Sequence, residues 1–254
     1  MAAGVGVRAG RIGRAGTLTA VRQLVVLMPV YNEQATVERA VARILRAPID
    51  MDIHVIAVDD ASTDASHALL TALASGEPRV MVLRHERNRG KGAAVRTAIA
   101  AIPADADIVL IHDADLEYDP ADYPRVVGPI RDGRADAVFG SRFIGGDAHR
   151  VLYYWHALGN RVLTTLSNAL TNLNLTDMEC CLKAFRAETI RGLRLREDRF
   201  GIEPELVART AAAGVRVFEV GVSYAGRTYA EGKKIRWTDG VDAIRAMVSA
   251  SIRR

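Results

Sequence analysis

The sequence predicts an α/β domain built on a mostly parallel sheet with helices on both faces. Three observations carry that expectation. Short apolar runs without polar alternation recur through the first half of the chain, which is how strands buried on both faces read. Segments with apolar residues at helical spacing separate them, the alternation that builds parallel sheets. The chain has 254 residues, 49% hydrophobic and 25% charged, enough for one such domain and too apolar for disorder over most of its length.

Leu24–Val30 (LVVLMPV) reads as the first strand, with Pro29 near its end. Val37, Ala40, Val41, Ile44 and Leu45 then recur at helical spacing, and Pro48 lies beyond them. Ile53–Val58 is the second strand, and Asp64 suits the N-cap of a helix carrying Leu69, Leu70 and Leu73. Val80–Leu83 is the third strand, followed by a helix over 90–102 with Val95, Ala98 and Ile99 on one face. Ile108–Ile111 (IVLI) is the fourth strand and Ala135–Phe139 the fifth.

Residues 151–175 carry an apolar stripe with Tyr153, Tyr154 and Trp155 at one end and Arg150 and Arg161 among it. That pattern suits an interfacial helix, and equally a core-packed or dimer-forming one. Pro204 fits the first turn of a later helix whose acids, Glu203 and Glu205, favour the dipole. Segment 236–254 reads as an amphipathic helix with Val241, Ile244, Met247, Val248 and Ile252 on one face, lying on a bilayer or packing on the domain. Residues 1–22 read as a disordered basic tail. An Arg-rich, acid-free start also suits a transit peptide, but no amphipathic pattern is sustained and the apolar core of a secretory signal is missing. Gly4, Gly6 and Gly10 follow no strand, so they are not a dinucleotide fingerprint. The folded domain therefore spans 23–235.

The net charge of +4 divides unevenly: +4 falls in residues 1–22, +2 on Arg253 and Arg254, and −2 on everything between. A near-neutral folded part with basic ends is unlike a nucleic-acid-binding domain, and basic ends favour an anionic membrane surface weakly. No apolar stretch reaches the roughly 18 residues of a membrane-spanning helix. The two cysteines, Cys180 and Cys181, are adjacent, which is neither a disulfide framework nor a zinc site. They read as buried small hydrophobes in a reducing, cytoplasmic setting, with peripheral attachment to the cytoplasmic membrane face if the acceptor is a lipid.

Polar residues gather where the predicted strands end, the edge at which such sheets bind ligands. Tyr31, Asn32 and Glu33 follow strand one, Asp59 and Asp60 close strand two, and Asn88–Lys91 lie after strand three. Asp113 and Asp115 follow strand four, and Ser141 and Arg142 follow strand five. Alternate residues leaving a strand turn both carboxylates of Asp113-Ala114-Asp115 toward one point, and hard oxygen donors suit Mg²⁺ or Mn²⁺. Glu117 is a candidate third ligand. Asp60 suits a base or ribose, Pro29 and Tyr31 a nucleobase face, and Glu33 its polar edge. Arg142, Arg227, Lys233 and Lys234 are candidates for phosphate. Glu203 and Glu205 are the remaining candidates for a general base, and His112 reads as a strand residue.

Five ordered motifs carry a resemblance. Val26-Leu-Met-Pro-Val-Tyr-Asn-Glu33, Val58-Asp-Asp-Ala-Ser-Thr-Asp64, Asn88-Arg-Gly-Lys-Gly92, Asp113-Ala-Asp115 and Gly140-Ser-Arg142 resemble the family 2 glycosyltransferases of GT-A fold. The likeness is greatest to the dolichol-phosphate mannosyltransferase and polyprenyl-phosphate glycosyltransferase group. The resemblance implies an NDP-sugar donor, GDP-mannose or UDP-glucose, a divalent metal, inversion, and a polyprenyl or dolichyl phosphate acceptor. It implies that Pro29, Tyr31, Glu33, Asp60, Lys91, Ala114, Arg227 and Lys234 hold the nucleotide-sugar. Asp113 and Asp115 would bind metal, with Glu117 where relatives commonly have Gln. Arg142 would contact the donor phosphates or the acceptor phosphate, Arg161 would face the acceptor phosphate, and Arg227 and Lys234 would sit on a loop closing over the diphosphate. Many relatives carry transmembrane helices after this domain, and none is present here. Arg236-Trp237 only echoes the QxxRW motif of processive synthases. A soluble hydroxyl acceptor and a catalytically silent NDP-sugar-binding protein are the alternatives. A Rossmann dehydrogenase is excluded because PVYNE, not a glycine turn, follows strand one. The donor base and the oligomeric state stay open.

Overall fold

Among the described residues seven strands form one sheet in the order β3-β2-β1-β4-β6-β5-β7. The computed structural model describes residues 23–145, 150–151, 153–227 and 244–247. β1 (Gln23–Val30), β2 (Asp52–Asp59), β3 (Val80–Arg84) and β4 (Ile108–Ile111) pair in parallel, as their uninterrupted apolar character requires. From Leu24 to Met28 and along all of β4 the side chains are fully buried. Helices α1 (Val37–Leu45), α2 (Ser66–Gly76) and α3 (Lys91–Ala100) connect these strands and cover them, and α4 (Tyr123–Arg131) leads from β4 into the second half. β2 and β3 lie to one side of β1 and β4 to the other, so the sheet's topological switch falls between β1 and β4.

The second half departs from the expected pattern. β5 (Ala137–Ser141) begins two residues later than the apolar run suggests and carries Ser141 inside the strand, so Arg142 follows directly. Two strands were not anticipated. β6 (Lys183–Arg186) runs antiparallel between β4 and β5, and β7 (Val217–Gly221) pairs in parallel outside β5. β6 is KAFR, with a charged residue at each end, and β7 is VFEVG, interrupted by Glu219. Neither has the apolar run that marks a buried strand. The helix expected over 151–175 is α5 (Tyr154–Thr171), and α6 (Ala187–Gly192) and α7 (Ile202–Ala212) complete the domain, with Pro204 in the first turn of α7. Residues 244–247 form a helical turn with Ala246 and Met247 buried. That turn packs on the domain, since a Cβ placed on Gly201 would stand 2.9 Å from the Ala246 Cβ. The tail 1–22, most of the helix expected over 236–254, and Lys233 and Lys234 lie outside the described residues.

Two glycines let the halves meet. A Cβ on Gly90 would stand 2.4 Å from the Asp198 carbonyl, and one on Gly92 would stand 2.2 Å from the Glu197 carbonyl. The start of α3 therefore lies directly on segment 196–199, and Ala93 N–H donates to the Asp198 carbonyl at 3.0 Å. Gly90 also has φ +97°, a conformation open to glycine at little cost.

Candidate active site

The loops that leave β1, β2 and β4 each hold one non-glycine residue in the left-handed region: Asn32 (φ 52°), Ala61 (φ 59°) and Leu116 (φ 64°). Such residues are uncommon, and strain of this kind concentrates at functional sites. Side chains stitch the first two loops together. Asn32 N–H donates to Ser62 Oγ at 2.9 Å, Glu33 N–H to Ser66 Oγ at 2.8 Å, and Thr63 N–H to Asn32 Oδ1 at 2.8 Å. Asp64 accepts from Ser66 N–H at 2.9 Å, but it stands one residue before the N-cap of α2, which is Ala65 and makes no side-chain capping bond, so the expected cap is displaced by one position. Pro29 is half-buried beside this platform and Tyr31 is exposed on it.

Asp60 faces the loop before α3. Its two oxygens accept from Arg89 N–H at 2.8 Å and Gly90 N–H at 2.7 Å, and His85 Nδ1 lies 2.7 Å from Oδ1. The carboxylate thus shapes the Asn88–Lys91 loop and delivers Lys91 to the sheet edge. There Lys91 Nζ donates to Asp113 Oδ2 at 2.9 Å and stands 2.9 Å from Glu203 Oε1.

Asp113 and Asp115 leave β4 with Ala114 buried between them. Burial alone would raise the Asp113 carboxyl, but the Lys91 ammonium holds it below the ordinary range. Asp115 goes the other way: burial, and then the nearby Asp113 and Glu117 carboxylates, push it up to about 7. Arg227 sits in the cluster this creates. Its guanidinium makes a two-point contact with Glu33 at 3.1 and 3.2 Å and donates to Asp115 Oδ2 at 3.2 Å. Glu117 accepts from Arg227 N–H at 2.8 Å and from Tyr224 Oη at 2.7 Å, so both of its oxygens hold the 224–227 loop.

Arg142 forms a separate centre. Its Nε and Nη2 donate to the two oxygens of Asp177 at 2.6 and 2.7 Å, and its own N–H adds a third bond at 3.0 Å. The guanidinium carbon lies 5.1 Å above the Tyr224 ring. Asp177 is fully buried and also accepts from Asn160 Nδ2 at 3.1 Å. Burial would raise that carboxyl, yet Arg142 holds it below its usual range. The Asn160 contact brings the first half of α5 against Arg142; Arg161, next along, is exposed. Beside this pair lies Glu179, whose Oε1 is buried without a hydrogen-bond partner among the described residues. Burial and the neighbouring Glu203 push its carboxyl up to about 7.

The model of Glycosyl transferase family 2 matches residues 25–193. The chain belongs to that family. It is 28% identical over 222 residues to the undecaprenyl-phosphate mannosyltransferase of Micrococcus luteus, covering 83% of this chain and 87% of that one. It is 27% identical over 214 residues to the dolichol-phosphate mannosyltransferase of Pyrococcus furiosus, spanning 60% of that protein's length. It is 27% identical over 220 residues to the undecaprenyl-phosphate 4-deoxy-4-formamido-L-arabinose transferase of Proteus mirabilis, spanning 64% of it. Glucosyl-3-phosphoglycerate synthase from Mycobacterium tuberculosis, solved with Mn²⁺, UDP and phosphoglyceric acid, superposes with a TM-score of 0.68 at 22% identity, covering 91% of this chain and 78% of that one. The same synthase was solved with Mg²⁺ and UDP. At such identity the likeness establishes the GT-A fold.

As a glycosyltransferase the chain brings Pro29, Tyr31, Glu33, Lys91, Asp113, Asp115, Glu117 and Arg227 to one edge of its sheet, with Arg142 across from them. Sequence reasoning missed the residues that hold these in place. Asp177 and Lys183 lie between α5 and α7, where no element was anticipated, Asn160 sits on the expected helix α5 without a local pattern that marks it, and no local pattern marks Tyr224. Glu203 was weighed as a base or a helix-dipole residue, whereas its carboxylate lies between Lys91 and Lys183. Both cysteines are buried as expected, and burial pushes the Cys180 thiol up to about 12. His112 is also buried, 3.0 Å from Tyr123 Oη, and burial pulls its ring down to about 4. Among the described residues no group of three or more His, Cys, Asp or Glu side chains is placed to hold a metal ion by itself; Asp113 and Asp115 supply two hard oxygen donors, and Glu33, Asp115 and Glu117 meet on the guanidinium of Arg227.

Proposed function

We propose that this glycosyltransferase moves a hexose from an NDP-sugar, GDP-mannose or UDP-glucose, to a polyprenyl phosphate, with inversion and with Mg²⁺ or Mn²⁺ on Asp113 and Asp115. The observation that carries this reading is the division of charge at the sheet edge. Acids dominate where the diphosphate's cation would sit, and a fixed guanidinium, Arg142, stands where an acceptor anion would sit. Asp60, Glu33, Glu117 and Glu203 are each engaged by a cation or by N–H or O–H donors. A phosphate acceptor requires no base, because a phosphate monoester with a second pKa near ~6 is already largely dianionic at neutral pH.

The bound cation would neutralise negative charge growing on the departing diphosphate. The chain's residues do the rest by position and charge. Pro29 and Tyr31 wall the base. Arg142, preset on Asp177, offers its remaining N–H groups to the acceptor phosphate, with Arg161 approaching from α5. Arg227, held at the same edge by Glu33 and Asp115, would meet the diphosphate. The first half of α5 supports a lipid acceptor. It exposes Tyr154, Trp155 and Val162, and Val151 before it is 88% exposed, while the helix buries Thr164, Ser167 and Thr171. An outward apolar face beside an anion-binding arginine suits a bilayer surface. No described helix is long and apolar enough to cross a membrane, so attachment would be peripheral.

One observation favours a second reading. Glu179, desolvated beside Arg142 with an unpartnered oxygen, is the carboxyl best placed to take a proton from a hydroxyl acceptor. Label from NDP-sugar separates the two. Metal-dependent transfer into organic-extractable lipid, lost on chelation and in Asp115→Ala, is expected. Full activity of Asp115→Ala overturns the metal assignment. Label confined to water-soluble product, together with a roughly 10²- to 10⁴-fold loss in Glu179→Gln, would establish a hydroxyl acceptor instead.

A further inference from the structure

Four charged side chains run inward from the sheet edge: Asp113, Lys91, Glu203 and Lys183. Lys91 Nζ lies 2.9 Å from Asp113 Oδ2 and 2.9 Å from Glu203 Oε1. The other oxygen of Glu203 accepts from Lys183, which is fully buried and also donates to the Met178 carbonyl at 3.1 Å and to the Cys180 carbonyl. The backbone fixes this arrangement from both ends. Asp60 holds Gly90 N–H before α3, and Glu205 accepts from Arg196 and Glu197 N–H at 2.8 Å each, pinning the segment on which Gly90 and Gly92 lie.

We infer that Glu203 is a positioning residue: set between Lys91 and Lys183, it draws the Lys91 ammonium between two carboxylates and so leaves Asp113 with charge available to a divalent cation. The inference rests on the reading of Asp113 and Asp115 as a cation site. A carboxylate needed only to neutralise buried Lys183 has no reason to present its second oxygen to Lys91. Glu203 does so, and among the described residues that oxygen makes no hydrogen bond to any other group. Without the Glu203 charge, Lys91 has Asp113 as its one close anionic partner, and the ion pair competes with the metal. With both carboxyl oxygens engaged by ammonium groups, Glu203 is also unsuited to act as a base.

Removing Glu203 alone would leave Lys183 buried and unpaired, so the test uses paired substitutions in the full chain, with Mn²⁺ alone as the probe and free Mn²⁺ read by electron paramagnetic resonance. Lys183→Met/Glu203→Gln replaces a buried ion pair with neutral groups and should keep a thermal midpoint near wild type. Its Mn²⁺ affinity should fall roughly ten- to a hundredfold, the size seen when groups that orient metal ligands are lost. Adding Lys91→Met should return the affinity to the wild-type value or above it. A role confined to packing would give no such reversal. Wild-type Mn²⁺ affinity in Lys183→Met/Glu203→Gln, or failure of Lys91→Met to restore it, overturns the inference while the cation site stands. A wild-type chain that binds no Mn²⁺ overturns the cation site and this inference with it.

Discussion

Arg142 and Arg227 are both half-hidden guanidinium groups at the same sheet edge, yet they are held in opposite ways. Among the described residues Arg142 has one acidic partner, fully buried Asp177, and the pair is closed by bonds from the Arg142 backbone and Asn160. Arg227 has three acidic partners, Glu33, Asp115 and Glu117, contributed by two loops, and it enters on a third. The first arrangement is complete before any ligand arrives and fixes a direction. The second carries surplus negative charge, which suits the cation proposed for this edge.

Breaking the closed pair should have the largest effect on the fold. Asp177→Ala strands a buried guanidinium and should cost about 3–5 kcal/mol, read from urea denaturation midpoints. Arg227→Gln should cost less, about 1–3 kcal/mol, since it strands no buried cation and its three acids keep other donors. The same change should lower kcat/KM for transfer by roughly 10²-fold or more through loss of charge at the diphosphate. A stable Asp177→Ala would show that the two sites are held alike.

Glu179 sharpens the comparison from the side of Arg142. Burial raises its carboxyl from 4.5 to about 7, so between those values the folded state keeps a proton that the unfolded chain releases. Its contribution to stability is therefore present below pH 4.5 and is lost as pH rises toward 7. Glu179→Gln should flatten that decline and be more stable than wild type above pH 7, with little difference below pH 4.5, in paired denaturation curves. The smallest effect on the fold belongs to Trp155, which is 77% exposed. Trp155→Ser should stay within about 0.5 kcal/mol of wild type, while co-sedimentation with anionic vesicles should weaken.

How far the sequence could be read follows the same divide. From β1 to β4 every strand is a continuous apolar run and every strand end carries its polar residues, so fold and candidate ligands were legible together. Beyond β5 the strands are short and charged because they serve the site as well as the sheet. Lys183 opens β6 and also pairs with Glu203; Glu219 interrupts β7 and accepts from Thr176 and Asp177 N–H at 2.8 and 3.1 Å. Asp177, the partner on which Arg142 depends, is 35 residues away from it along the chain, a separation no local pattern reveals.

The place of β6 has a consequence for how the molecule is made. β5 borders only β6 and β7, so as the chain emerges from a ribosome residues 137–141 have no neighbour until 183–186 have been synthesised. The β1–β4 half can assemble first, as N-terminal parts commonly do. The outer half must wait for a strand that threads back between them, and the arginine next to β5 is oriented last.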